Sequence, residues 1–132
     1  MIDLLVIGGG ALGLGFSAIA ARLGHSVACC TRKRALTRAR LHWGDECDHG
    51  ELVPTQPATV AVLSVKAHDQ PLAWERHGEL LRQCPHLVVA QNGMGQPGVD
   101  HPDAIQSIVW ACPEQLRPSS ATLALRQPIE IT

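Results

Sequence analysis

Gly8, Gly10 and Gly13 stand in the order Gly-x-Gly-x-x-Gly within Gly8-Gly9-Gly10-Ala11-Leu12-Gly13. At the junction of a strand and a helix this spacing binds a dinucleotide. The first glycine turns the chain tightly, the second lets the backbone approach a pyrophosphate, and the third lets helix and strand pack closely. The first N–H groups of the helix then face the phosphates. Further on, Thr31-Arg32-Lys33-Arg34 sets three cations in a row, and no carboxylate occurs between Asp3 and Asp45. A carboxylate at this place takes the ribose 2′-hydroxyl of NAD(H), whereas a guanidinium grips the 2′-phosphate of NADP(H). The sequence favours NADP(H), with Arg32 best placed for a bidentate grip; the bland alternative is a solvated loop.

Two later stretches add polar groups at the ends of apolar runs, Val65-Lys66-Ala67-His68 and Gln91-Asn92-Gly93-Met94-Gly95. A lysine directly after a buried strand asks for an anionic partner, although many such lysines simply extend to water. An Asn-Gly pair at a strand end is most often a turn. Other clusters carry less. His42, Cys47 and His49 fit no zinc spacing, so no metal is expected. Ser17 and Ser64 have no base nearby to activate them. Trp43, Trp74 and Trp110 are scattered as packing residues are.

The elements that must position these groups follow from periodicity. Ile2 to Ile7 is a short apolar strand, Ala11 to Leu23 a helix with Gly24 as its cap, and Ser26 to Thr31 a second strand, which together make a parallel βαβ unit. Cys29 and Cys30 point to opposite faces of that strand as small buried hydrophobes. Arg32 to Arg40 is expected to form a short basic helix, and His42 to Pro57 a loop with one edge strand near Glu51-Leu52-Val53. Thr59 to Val65 is a buried strand. Pro71 opens a further helix whose Trp74, Gly78 and Leu81, with Leu80 and Cys84, lie on the sheet. Leu87 to Ala90 and Ser107 to Ala111 are further strands. Ala121 to Leu125 and Ile129 to Ile131 alternate as an antiparallel pair does. The fold class is a doubly wound, mostly parallel α/β sheet with helices on both faces and an antiparallel edge near the C-terminus.

Composition excludes several classes. The 132 residues make one dinucleotide-binding domain, 45% hydrophobic and 17% charged, with a formal net charge of −1. No basic field exists to draw nucleic acid or an anionic membrane surface. Five cysteines without a C-x-x-C pair suit a reducing cytoplasm rather than a disulfide framework. The apolar run from Leu4 lacks the basic segment of a secretory signal, and its glycines each cost about 1 kcal/mol in a helix. Neither export nor a membrane anchor is expected.

Gly8 to Gly13, Arg32 after the second strand, Val65-Lys66-Ala67 and Gln91-Asn92-Gly93-Met94-Gly95 occur together in this order. In this arrangement the chain from Met1 to about Gly98 resembles the N-terminal, Rossmann-type domain of ketopantoate reductases. The resemblance implies that Gly8, Gly9, Gly10, Ala11, Leu12 and Gly13 hold the pyrophosphate, Arg32 the 2′-phosphate, and Lys66 the cofactor near its ribose and phosphates. Asn92 would sit where nicotinamide and substrate meet, so Lys66 and Asn92 are the catalytic candidates in this chain. It also implies reduction of the 2-keto acid 2-dehydropantoate to pantoate by NADPH, on the route to pantothenate.

The chain also departs from the family. Cys112-Pro113-Glu114-Gln115 matches poorly, and the usual glycines between Pro118 and Thr132 are absent. The family's proton-donating lysine and most of its substrate contacts belong to a C-terminal helical domain that has no counterpart here. The expectation is an NADP(H)-binding domain with little turnover of its own, acting on a small 2-keto acid when completed by a helical domain. The surface meant for that domain would favour homo-oligomers. The alternatives are a stand-alone NADP(H)-binding module or sensor, and an α/β interaction domain with a decayed site.

Overall fold

Short apolar runs bounded by turn residues become strands buried on both faces, and they assemble into the sheet that carries the site. The computed structural model describes residues 1–43, 46–91, 101–108, 113–117 and 120–123. In chain order the elements are β1 (Ile2–Ile7), α1 (Ala11–Arg22), β2 (Val27–Cys30), β3 (Arg38–Trp43), β4 (Glu46–Glu51) and β5 (Ala58–Leu63). A single 3-10 turn (Ala67–Asp69) leads into α2 (Gln70–Arg82). It is followed by β6 (His86–Gln91), β7 (Ala104–Ile108), β8 (Pro113–Arg117) and β9 (Ser120–Leu123).

Five strands form one parallel sheet in the order β2-β1-β5-β6-β7. Strand β1 is central to its first half, with Leu5 flanked by Ala28 and Ala61 and Val6 by Cys29 and Val62. The side-chain alternation of strands then divides the core. Val6, Cys29 and Val62 join Leu14 and Ala18 of α1, while Leu5, Ile7, Ala28, Ala61 and Leu63 join Ala73 and Leu81 of α2 on the other face. Helices on both faces of a mostly parallel sheet are the doubly wound arrangement expected from the sequence.

A second sheet, in the order β4-β3-β9-β8, lies over the outer side of α1. This explains the composition of that helix. Gly13, Leu14, Gly15, Ser17 and Ala18 are all buried, and no residue from Ala11 to Ala21 is fully exposed. A helix covered on two sides must be apolar and thin. Gly15 faces the Leu41 side chain of β3, and Gly50 of β4 lies directly against Ala21. The Ser17 hydroxyl is buried without penalty because it donates to the Gly13 carbonyl at 2.8 Å.

Three expectations are corrected. Arg32 to Arg40 forms no helix: a turn follows β2, and β3 begins at Arg38. Arginine, alanine and leucine favour helices locally, but Ala39 and Leu41 are buried while Arg38 and Arg40 are exposed. That period of two is a strand signal, and burial against α1 overrides propensity. The region expected as a loop is the antiparallel hairpin β3–β4, which pairs Arg38 with Glu51 and His42 with Cys47. Leu52 and Val53, expected on an edge strand, instead leave it, their N–H groups donating to Thr37 and Val27 carbonyls at 2.9 and 2.8 Å.

The strand expected at Ser107 to Ala111 starts earlier, at Ala104, and runs parallel to β6. Of the antiparallel pair expected from Ala121 to Leu125 with Ile129 to Ile131, residues 121–123 lie in β9, which pairs antiparallel with β8, Gln115 standing opposite Ala121. It belongs to the second sheet, where β9 runs parallel to β3. Residues 129–131, expected as its partner, lie outside the described residues. Helix α1 ends as expected, with Gly24 at φ +92° just beyond it.

The two adjacent cysteines fall on opposite faces of the sheet. Burial pushes the Cys29 thiol up to about 11, and it raises that of the half-buried Cys30 as well. At pH 8 only on the order of one Cys29 in a thousand is thiolate. An alkylating reagent on the native protein is therefore expected to modify the exposed Cys47 long before Cys29. Peptide mass mapping over a labelling time course reads the order, and early modification of Cys29 would mean that α1 does not stay seated on the sheet.

Candidate functional site

In an open parallel sheet the carboxyl ends of the strands face a crevice where the strand order reverses. Here that place lies between β1 and β5. Gly8 follows β1 at φ +121°, a conformation that a side chain would strain. Its N–H still donates to the Cys30 carbonyl at 2.9 Å, extending the ladder to β2 by one step before the chain turns away.

Ser64, directly after β5, secures the turn from the other side. Its N–H donates to the Ile7 carbonyl at 2.8 Å. Its buried hydroxyl points at the Ile7 and Gly8 carbonyls, 3.2 and 3.3 Å away. A Cβ on Gly8 would stand 2.9 Å from Ser64, and one on Gly13 would collide with the Gly8 carbonyl. Gly9 is excluded from carrying a side chain by Thr31. The sequence weighed Ser64 only as an unactivated nucleophile, whereas it holds the glycine turn. The available signal was a small hydroxyl residue ending the strand beside β1.

Gly10 differs from its neighbours. It is exposed, and a Cβ built on it would meet nothing within 4 Å. As the N-cap of α1 it makes no side-chain cap, and the first turn holds no acid. The first intrahelical bond runs from Leu14 N–H to the Gly10 carbonyl at 3.0 Å, which leaves the Ala11, Leu12 and Gly13 amides ahead of it. An open face over backbone, at an uncapped and unopposed helix start, suits a pyrophosphate.

The cleft beside this turn has a volume of about 760 Å³. Its described lining gathers Gly8, Gly9 and Gly10 with Arg32 and Lys66, and Ala11, Leu12 and Gly13 follow at the start of α1. Lys66 is exposed rather than buried, so the desolvation argument for a partner does not apply to it. Asn92, with Gly93 to Gly95, lies outside the described residues. The hairpin sets His42 opposite Cys47, yet among the described residues no group of three His, Cys, Asp or Glu is placed to hold a metal.

The basic turn after β2 is built by Thr31. Its Oγ1 accepts the Lys33 and Arg34 N–H groups at 3.1 and 3.0 Å and donates to the Arg34 carbonyl at 2.9 Å, while Cys30 bridges Ala35. Arg32 and Lys33 therefore project from a fixed turn. Helix α2 supplies what the sequence missed: Leu72, Ala73, Arg76 and His77 line the same cleft. Arg76 donates to the Arg32 carbonyl at 3.3 Å. Burial, with the neighbouring Arg76 charge, holds the His77 imidazole below its ordinary value. The stripe of Trp74, Gly78 and Leu81 was legible, but it describes the side of α2 that packs. Arg76 and His77 have no periodic signature because the cleft they face is formed by β2 and β5, remote in sequence.

Arg32, Lys33, Arg34, Lys66 and Arg76 give the described lining five cations, against one acid, Asp69. The cleft thus lies at the switch point of a doubly wound, mostly parallel α/β sheet, with an excess of positive charge in its described lining. The family model described as ketopantoate reductase PanE/ApbA matches residues 4–127, and this chain belongs to that family. A 2-dehydropantoate 2-reductase of Aquifex aeolicus (strain VF5) is 27% identical over 103 residues, covering 72% of this chain and 33% of the relative.

Among solved structures, the dimeric ketopantoate reductase of Staphylococcus aureus superposes with a TM-score of 0.71 at 18% identity, over 92% of this chain and 48% of that one. A D-mandelate dehydrogenase solved with NADH and anilino(oxo)acetate gives 0.71 at 13% identity, over 92% and 45%. The fold is shared with both. The chain spans a third to a half of the length of these proteins. No helix among the described residues is long and apolar enough to cross a membrane.

Proposed function

We propose that this chain is the NADP(H)-binding domain of a cytoplasmic ketopantoate-reductase-like oxidoreductase. The observation that carries the reading is the open backbone face at Gly10, set over a cleft whose described lining has five cations and one acid. The glycine turn and the start of α1 hold the pyrophosphate. Arg32, fixed by the Thr31 turn, takes the 2′-phosphate with Lys33 beside it, and Lys66 reaches the ribose and phosphates from the end of β5.

Bound NADPH supplies the hydride that reduces a 2-keto acid, 2-dehydropantoate in the family's reaction. The remaining task is protonation, which needs an acid within hydrogen-bond reach of the forming alkoxide. Lys66 and Asn92 are the candidates of this chain at that junction. The family resemblance assigns the donor and the substrate contacts to a helical domain outside these 132 residues. Self-association fits the dimeric state of the Staphylococcus aureus relative.

The test is a titration with NADPH and with NADH, followed by tryptophan emission, on the wild type and on Arg32→Glu. NADPH is expected to bind more tightly than NADH. The substitution is expected to weaken NADPH by about 10- to 100-fold, the range for losing hydrogen bonds to a charged group. NADH should change far less. Equal affinities indifferent to the substitution would remove the NADP(H) assignment.

A further inference from the structure

The one acid in the described lining of the cleft stands against its most important cation. Asp69 Oδ1 lies 3.4 Å from Arg32 Nη2, and its second oxygen lies 3.5 Å from His68 Nε2. Asp69 is the N-cap residue of α2, yet its side chain makes no capping bond. Its N–H is instead tied to the Lys66 carbonyl at 2.8 Å, fixing the backbone from which the carboxylate projects toward the basic turn. In dinucleotide-binding folds an acid on the ribose 2′-hydroxyl ordinarily comes from the end of the second strand. Here that strand end is Thr31-Arg32-Lys33-Arg34, and the loop after β5 brings an acid to the same place.

Resting on the nucleotide reading of the cleft, we propose that Asp69 sets the coenzyme selectivity of this chain, restraining its preference for NADPH over NADH. Two effects act together. The carboxylate occupies the Arg32 guanidinium, so a 2′-phosphate must displace or share that pair while standing near a like charge. The same carboxylate is an acceptor for the 2′-hydroxyl that NADH carries in place of the phosphate. Arg32 and Asp69 thus form a matched pair that serves either coenzyme, and the cation run alone overstates the discrimination.

Adenosine 2′,5′-bisphosphate and ADP isolate this corner without any chemistry at the nicotinamide. Calorimetric titration of both into the wild type, Asp69→Asn, Arg32→Gln and Arg32→Gln/Asp69→Asn is the experiment, with NADPH and NADH as a second pair of probes. Asp69→Asn keeps the side-chain shape and disturbs no capping bond. It is expected to tighten the bisphosphate by about 10-fold and to weaken ADP by about 3-fold, moving the ratio by about 30-fold. In the absence of Arg32 the gain for the bisphosphate should shrink to within about 3-fold, because the cation to be released is gone. A wild type that binds these nucleotides with a ratio untouched by Asp69→Asn overturns this inference and leaves the nucleotide site standing. A wild type that binds none of the four overturns both.

Discussion

Gly13→Ala is expected to lower the melting temperature by about 10 °C and to weaken NADPH binding with it. The added methyl group would occupy the place of the Gly8 carbonyl and stand 2.7 Å from the buried Ser64 hydroxyl. Neither neighbour can yield cheaply. The Gly8 carbonyl is backbone held between β2 and β5, and the Ser64 hydroxyl is engaged with the Ile7 and Gly8 carbonyls. Overpacking of this kind costs about 1–3 kcal/mol, and a glycine turn forced off its conformation adds strain. For a chain of this size about 3 kcal/mol corresponds to about 10 °C. Thermal denaturation followed by circular dichroism measures it. A variant melting with the wild type would show that α1 does not approach the Gly8 turn as closely as described.

Gly10→Val is expected to do the opposite, abolishing nucleotide binding while leaving stability nearly unchanged. A Cβ at this position meets no protein atom within 4 Å, and the backbone at φ −74° and ψ −175° is open to any residue. Folding therefore has no reason to require glycine here, and the melting temperature should stay within about 3 °C. Binding requires a phosphate to reach bare amides, and an isopropyl group over them blocks that approach. The expected loss is on the order of 100-fold or more in NADPH affinity, the scale of one or two charge-assisted hydrogen bonds. Stable protein that still binds NADPH would place the pyrophosphate elsewhere. The two glycines separate structural from ligand-facing roles within one motif.

The parts of the fold that the sequence disclosed are those made by neighbours along the chain. Strand β1, the Gly8 turn, helix α1 with Gly24 beyond it, and strand β2 are contiguous, and each has a local signature of apolar run, glycine or cap. The hairpin β3–β4 has no such local signature: the basic residues Arg32 to Arg40 favour a helix along the chain, and only the cover of α1 over Ala39 and Leu41 makes a strand of them. Strand β9 likewise takes its place beside β3, which is remote in sequence.

By itself the sequence determined a parallel α/β chain with a dinucleotide motif and a basic turn at the end of its second strand, because glycine spacing and apolar periodicity are local properties of the backbone. Only the tertiary structure decided that α1 is covered on two sides, that Ser64 secures the glycine turn, and that Asp69 and Arg76 converge on Arg32. Those groups come from β5, the turn after it and α2, and they meet only when β5 docks beside β1 and α2 packs on the far face of the sheet. Hydrogen bonds and ion pairs act over a few ångströms, so what a cation faces is fixed by strand order and not by its neighbours in the chain.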